Sequence, residues 1–462
     1  MRITRRFLLR NAGIVGIGFT GLQSLVRGGS DYAPNPNWEH EGYGELKRDP
    51  DKILDLPDGF GYRVISKTGQ SMNDGNRVPG AHDGMAAFPG PDGKTILVRN
   101  HELRPDQRKL GAFGKKNKRL SRVDARSFYD RGNGESPCLG GTTTLIYDTR
   151  ARHLESHRRS LAGTIRNCAG GPPPCGSWIT CEETVQKAEG AFEADHGYNF
   201  EVPAAGSGIA APVALEEMGR FNHEAIAVHE KSGAVYETED RGDGLIYRFI
   251  PNEKGNLKKG GRLQALAIID QPELDTRNWK EPTLEQGQPV AVRWIDIEDP
   301  RSPQDDLRKQ GPSKGAAIFA RGEGIWVDGD DIYFACTNGG AAKAGQIFKY
   351  SASPSEGTAA EEKSPAKLEL FLESPDRRIL EYADNLTIAP WGDIIICEDG
   401  DGVDHVVGIT PEAKVYKLAR NAMNYSEFCG ATFSPDGSTL FVNIQTPGLT
   451  LAITGPWSRR SS

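Results

Sequence analysis

The chain has 462 residues, 37% of them hydrophobic and 26% charged, with 55 glycines, 29 prolines and a formal net charge of −7. That balance offers no general attraction to nucleic acid or to an anionic membrane, so an anionic ligand must be drawn by bound cations or a local basic patch. Apolar runs are only about four to six residues long and no heptad pattern interrupts them, which predicts an all-β chain.

The N-terminus places Arg5-Arg6 ahead of a moderately apolar, glycine-rich stretch over residues 12–26. A paired arginine before a short, weakly apolar segment is the pattern of a twin-arginine export signal, and the segment is too short to span a bilayer. We expect residues 1–29 to be that signal and residues 30–462 to form a single domain. The twin-arginine export machinery would deliver it to the periplasm or outside the cell. After a polar entry, residues 60–68 read as an outer strand.

A two-strand phrase then recurs six times. The copies are His82-Asp83-Gly84 with Asn100-His101-Glu102, Cys168-Ala169-Gly170 with Cys181-Glu182-Glu183, and Asn222-His223-Glu224 with Glu237-Thr238-Glu239-Asp240. They continue with Gly322-Glu323-Gly324 and Cys336-Thr337-Asn338, Asp384-Asn385 and Cys397-Glu398-Asp399, and Cys429-Gly430 and Asn443-Ile444-Gln445. Turns such as Pro91-Asp92-Gly93, Asp328-Gly329-Asp330 and Pro435-Asp436-Gly437 suit hairpins between the paired strands. In the second copy Gly171-Pro172-Pro173-Pro174 replaces the apolar run, which makes it the weakest. Six units of roughly 70 residues predict a six-bladed β-propeller with long inter-blade loops. Between copies, residues 103–134 form a basic insertion expected to leave from the site face, where it could steer anions inward. Outer strands are expected near 263–269 and 290–295, and residues 351–367 read as an exposed low-complexity loop.

Acids that end equivalent strands converge on the mouth of a propeller. Glu102, Glu182, Glu183, Glu224, Glu239, Asp240, Glu323, Asp384, Glu398 and Asp399 are therefore expected in one funnel. So many like charges repel one another unless cations sit among them. Oxygen donors suit Ca²⁺ or Mg²⁺, while a thiolate in the set suits a transition metal such as iron. Seven cysteines are too few for a disulfide scaffold and odd in number. Cys336 and Cys397 read as packing residues, whereas Cys181 stands out because two carboxylates follow it. His82, His101 and His223 lack the spacing of a zinc helix and read as structural. Any single acid beside glycine fits a turn; the sixfold placement argues for a shared site.

Several segments also carry a family resemblance. They are Gly219-Arg220-Phe221-Asn222-His223-Glu224, Thr238-Glu239-Asp240-Arg241, Thr180-Cys181-Glu182-Glu183, Arg321-Gly322-Glu323-Gly324, Asp384-Asn385-Leu386, and the closing Phe433-Ser434-Pro435-Asp436-Gly437 with Gln445-Thr446-Pro447-Gly448. From about residue 50 to Trp457 the chain resembles the PhoX-type alkaline phosphatases. The resemblance implies a monomeric, twin-arginine-exported six-bladed propeller that hydrolyses phosphate esters with Fe³⁺ and Ca²⁺. It further implies Cys181 as the thiolate iron ligand and Glu224 and Glu323 as carboxylate iron ligands. Glu102, Glu182, Glu239, Asp240, Glu398 and Asp399 would take calcium or bridging roles, and Arg321 would face the phosphate. Gly322 departs from the family, which often has proline there. No nucleic-acid module or membrane span is read in the sequence. A calcium-dependent lactonase-type hydrolase and a non-catalytic, calcium-stabilised binding propeller remain as alternatives.

Overall fold

The computed structural model describes residues 40–134 and 136–459, and the paired-arginine segment lies outside the described residues. Residues from His40 onward form one compact unit, all-β and propeller-like. Every pairing between named strands is antiparallel and runs between sequence neighbours, with three exceptions. Val290–Asp296 pairs with Lys367–Glu373, Leu54–Asp55 with Val415–Asn421, and Gly61–Lys67 with Leu449–Thr454. The strands fall into hydrogen-bonded sheets of five, nine, four, four and three members. The nine-stranded sheet is continuous because Val290–Asp296 and Lys367–Glu373 share two residue pairs. The three-stranded sheet holds the second repeat, whose proline run leaves short strands, Asn167–Gly171 and Ser177–Glu182.

The first strand of each repeat lies innermost. His82–Pro89, Asn167–Gly171, His223–Val228, Gly322–Asp328, Ala383–Ile388 and Phe428–Phe433 touch one another in that cyclic order, the last returning to the first. Being covered on both faces, these strands are almost wholly buried, and their sequences lack a polar face. Each also breaks its pairing register at the same place: between His82 and Met85, Asn167 and Gly170, His223 and Ile226, Gly322 and Ile325, Ala383 and Leu386, and Cys429 and Thr432. Such a bulge bends a strand and re-aims a side chain. It forces a small residue next in line: a Cβ on Gly84 would lie 2.5 Å from Ala169 Cα, and one on Gly430 would lie 2.5 Å from Asp83 O.

The expected outer strands near 263–269 and 290–295 appear as Gly261–Ile268 and Val290–Asp296. The 351–367 segment is not the wholly exposed loop that its composition predicts. It carries a 3₁₀ turn at Ala359–Lys363, and Glu356 is buried against Arg248, Tyr236 and Tyr350. The basic insertion packs a small apolar core of its own around Leu103, Phe113, Leu120 and Leu139.

Candidate metal centre

A hydrogen bond that recurs in all six repeats sets the register of the hub. The backbone N–H of Glu102, Glu183, Asp240, Thr337, Asp399 and Gln445 donates to the carbonyl of Ala81, Arg166, Asn222, Arg321, Tyr382 and Glu427 respectively, at 3.0–3.3 Å. Two residues past each of those carbonyls, on the bulge, stand Asp83, Cys168, Glu224, Glu323, Asp384 and Cys429. The hub therefore carries two sets of equivalent positions, both rich in acids, with thiols only in the bulge set, at Cys168 and Cys429.

Among these sets and Glu427, which supplies the sixth carbonyl, ligand atoms gather within 4.8 Å of one another in three groups: Cys168 with Glu183 and Glu224, Glu224 with Glu323 and Asp384, and Asp83 with Glu102 and Glu427. Glu224 belongs to two of them. Burial first, and then neighbouring carboxylates, push the carboxyl groups of Asp83, Glu183, Glu224, Glu323 and Glu427 above their ordinary range. Asp384 is pushed to about 8 by burial and by Asp399. Without a bound cation beside it, Asp384 therefore favours its protonated form at neutral pH, by about 1.4 kcal/mol. The Cys168 thiol is likewise raised by burial and by Glu224, and it donates to His223 O at 3.2 Å. Protein cations offset only part of this charge. Arg166 pairs with Glu102 (2.8 Å) and Glu183, and Arg321 pairs with Asp240 (2.6 Å) and Glu323 (3.0 Å). A crowd of buried acids with one thiol among them is the donor set that multivalent metal ions require.

Other expected ligands sit elsewhere. Glu182, Glu239 and Glu398 precede the outer set by one residue, and in a strand that turns them to the opposite face. Each anchors the following loop. Glu182 accepts from Ile165 N, Gly197 N and the His196 ring, Glu239 from Leu245 N and Tyr247 Oη, and Glu398 from Glu381 N, His405 and Lys417. Cys181 lies two residues before Glu183, in an apolar cluster with Ile179, Phe221, Ile226 and Tyr247. Its counterparts Asn100, Thr238 and Asn443 reach across to the inner strand of the next repeat, at Cys168 O, Glu323 O and Asp83 O. Cys181 fills the same interval between sheets with an apolar side chain, and the thiol among the three hub groups is Cys168. Glu102, Glu224 and Glu323 lie in the three groups. Asp240 adjoins them through Arg321, and Asp399 through hydrogen bonding to Glu427. Cys168, Asp83, Glu427 and Arg166 were missed as site residues. The signal for the bulge position was a chemically distinctive residue followed by Gly, Ala or Asn in every copy. His82, His101 and His223 are structural, each ring held by a backbone carbonyl.

No curated protein matches the chain at a significant level. Among solved structures, Pseudomonas fluorescens PhoX in complex with vanadate, a transition state analogue, superposes with a TM-score of 0.66 at 16% identity, covering 91% of this chain and 98% of that one. A gluconolactonase from Xanthomonas campestris gives a TM-score of 0.38 at 11% identity, covering 87% and 97%. The sequence profile described as Alkaline phosphatase PhoX matches residues 41–160 and 148–448, nearly all of the described chain. The chain belongs to the alkaline phosphatase PhoX family.

Proposed function

We propose that the hub acids and Cys168 hold iron and calcium ions, and that the chain hydrolyses phosphate esters there. As a member of its family the protein is a metal-dependent phosphoric ester hydrolase. The observation that carries the metal assignment is the sharing of Glu224 between two ligand groups, one with a thiol and one with carboxylates alone. Cys168, Glu183 and Glu224 suit a ferric ion, Glu224, Glu323 and Asp384 a second one, and the all-oxygen set Asp83, Glu102 and Glu427 suits calcium. Cations held by these residues would supply the positive charge that offsets the phosphoryl and leaving oxygens.

The chain's own residues do the rest. Arg321 is held by Asp240 through Nε and Nη2 in a two-point clamp, leaving a partly exposed guanidinium to orient phosphoryl oxygens. Glu183 and Asp240 face each other within hydrogen-bonding reach at the edge of the site, which ties the Arg166 and Arg321 sides together.

The sixfold hydrogen bond and bulge support reading the nine-stranded sheet as two blades joined by a short pairing, six blades in all. Arg5-Arg6 supports export by the twin-arginine route to the periplasm or beyond.

The test is elemental analysis of protein purified without chelator, with turnover of an aryl phosphate before and after chelation. Iron, calcium and chelator-sensitive turnover are the expected result. A metal-replete protein inert toward every monoester and diester would overturn the reading.

A further inference from the structure

We propose that Arg166 is a second phosphoryl-binding residue, and that its pairing with Arg321 selects phosphate monoesters over diesters. The inference rests on the phosphatase reading above and adds to it a specificity-determining residue.

The two arginines are equivalent in the repeat. Each supplies the carbonyl of the sixfold hydrogen bond immediately before a bulged inner strand, Arg166 to Glu183 and Arg321 to Thr337. Each is held in the left-handed region, with φ of 47° and 54°, a conformation that costs a non-glycine residue energy. Each sends its Nε back to the hub acid of a preceding repeat, Arg166 to Glu102 Oε1 at 2.8 Å and Arg321 to Asp240 Oδ1 at 2.6 Å. The acid pair Glu183 and Asp240 joins them, Arg166 gripping the first and Arg321 the second. The Glu224-centred groups use acids from this same chain of contacts.

Exposure separates these two from the purely structural arginines. Arg166 and Arg321 keep 31% and 36% of their side-chain surface, whereas Arg99, Arg159 and Arg220 are fully buried. A guanidinium has five N–H groups, and the two hydrogen bonds of Arg166 to Glu102 and Glu183 use two of them.

The chemistry of the ligand follows. A monoester presents three non-bridging oxygens and nearly two negative charges, which two guanidiniums flanking one cluster can share. A diester presents two such oxygens and one charge, for which Arg321 suffices.

Steady-state kinetics of Arg166→Met and Arg166→Lys on p-nitrophenyl phosphate and on bis(p-nitrophenyl) phosphate test the inference. Inhibition by inorganic phosphate, metal content and melting temperature are measured alongside. In Arg166→Met, kcat/KM for the monoester is expected to fall about ten- to a hundred-fold, the size of one charge-assisted contact. The diester should fall at least about five-fold less, and phosphate inhibition should weaken with the monoester. Metal content should hold, and Arg166→Lys, which keeps the charge and tests the same point if the methionine variant does not fold, should recover part of the loss. Equal losses on both esters, no loss on either, or a loss that tracks missing metal would each overturn the proposal. The last would reduce Arg166 to a clamp on Glu102 and Glu183. A wild-type protein inert toward both esters would instead remove the phosphatase reading itself.

Discussion

Glu182 and Glu183 are neighbours in the chain and end in opposite electrostatic surroundings. Glu182 turns into a buried pocket with His196, Cys138 and Asp130, where the imidazole lies 2.7 Å from Glu182 and 3.3 Å from Asp130. Burial would lower the His196 pKa, but Glu182 and Asp130 outweigh it and raise it to about 12. Asp130 accepts backbone N–H groups from Gly132, Glu193 and Ala194, so that pocket is balanced by its own cation and donors. Glu183 turns toward the hub, where acids outnumber the arginines and push one another up. Both clusters contain a buried cysteine and carboxylates. What separates them is whether the protein supplies the countercharge, and that decides which is scaffold and which needs ions.

Removing the ions should break the comparison most. Chelation is expected to abolish turnover and to lower the melting temperature by about 10 °C or more at pH 8, because two like charges 4 Å apart cost about 4 kcal/mol at a protein-like dielectric. The metal-free fold binds protons that the unfolded chain has released. Its hub carboxyls have raised folded-state pKa values, so their stabilising contribution is complete below about pH 4 and is lost as pH rises toward about 8, the value at Asp384. Chelated protein should therefore melt progressively lower from pH 5 to pH 8 while the metal-loaded protein changes little; parallel profiles would contradict this.

Next in size, Cys168→Ser should lower iron content and cut turnover by at least about a hundred-fold, read by elemental analysis and an aryl phosphate assay. On the balanced side, His196→Ala strands Glu182 and Asp130 without their cation. It should cost about 3–5 kcal/mol in denaturant unfolding while purified, folded protein keeps its iron. The smallest effect belongs to Cys181→Ala, about 1 kcal/mol from a small void between sheets, with iron retained. Iron lost with Cys181→Ala and kept with Cys168→Ser would reverse the placement of the thiol.

Much of the architecture was readable because every repeat but the second announces itself with a turn and two apolar runs. The hub acids Glu102, Glu224 and Glu323 were readable for the same reason. Glu182, Glu239 and Glu398 were misplaced by a single residue, since adjacent strand positions point to opposite faces and nothing in composition fixes which face is inward. The bulge adds one residue to each inner strand and carries Cys168 to the hub. Its register becomes visible only once the six carbonyl-to-amide bonds are aligned. Glu356 was hidden by the Ser, Ala and Glu composition around it, although its partner Arg248 lies more than a hundred residues away in the chain.

Gly61–Lys67, from near the start of the described chain, lies in one sheet with the final strands Thr439–Ile444 and Leu449–Thr454. The circle of sheets is thus locked by joining an early segment to a late one. A ribosome must pass the strand Leu449–Thr454 before that lock can form, and Gln445, which bonds Asp83 and Glu102 across the seam, is made 362 and 343 residues after them. Products that stop short of it would carry an open seam beside the all-oxygen ligand set, so synthesis past this segment and competence to capture ions are read out by the same few residues.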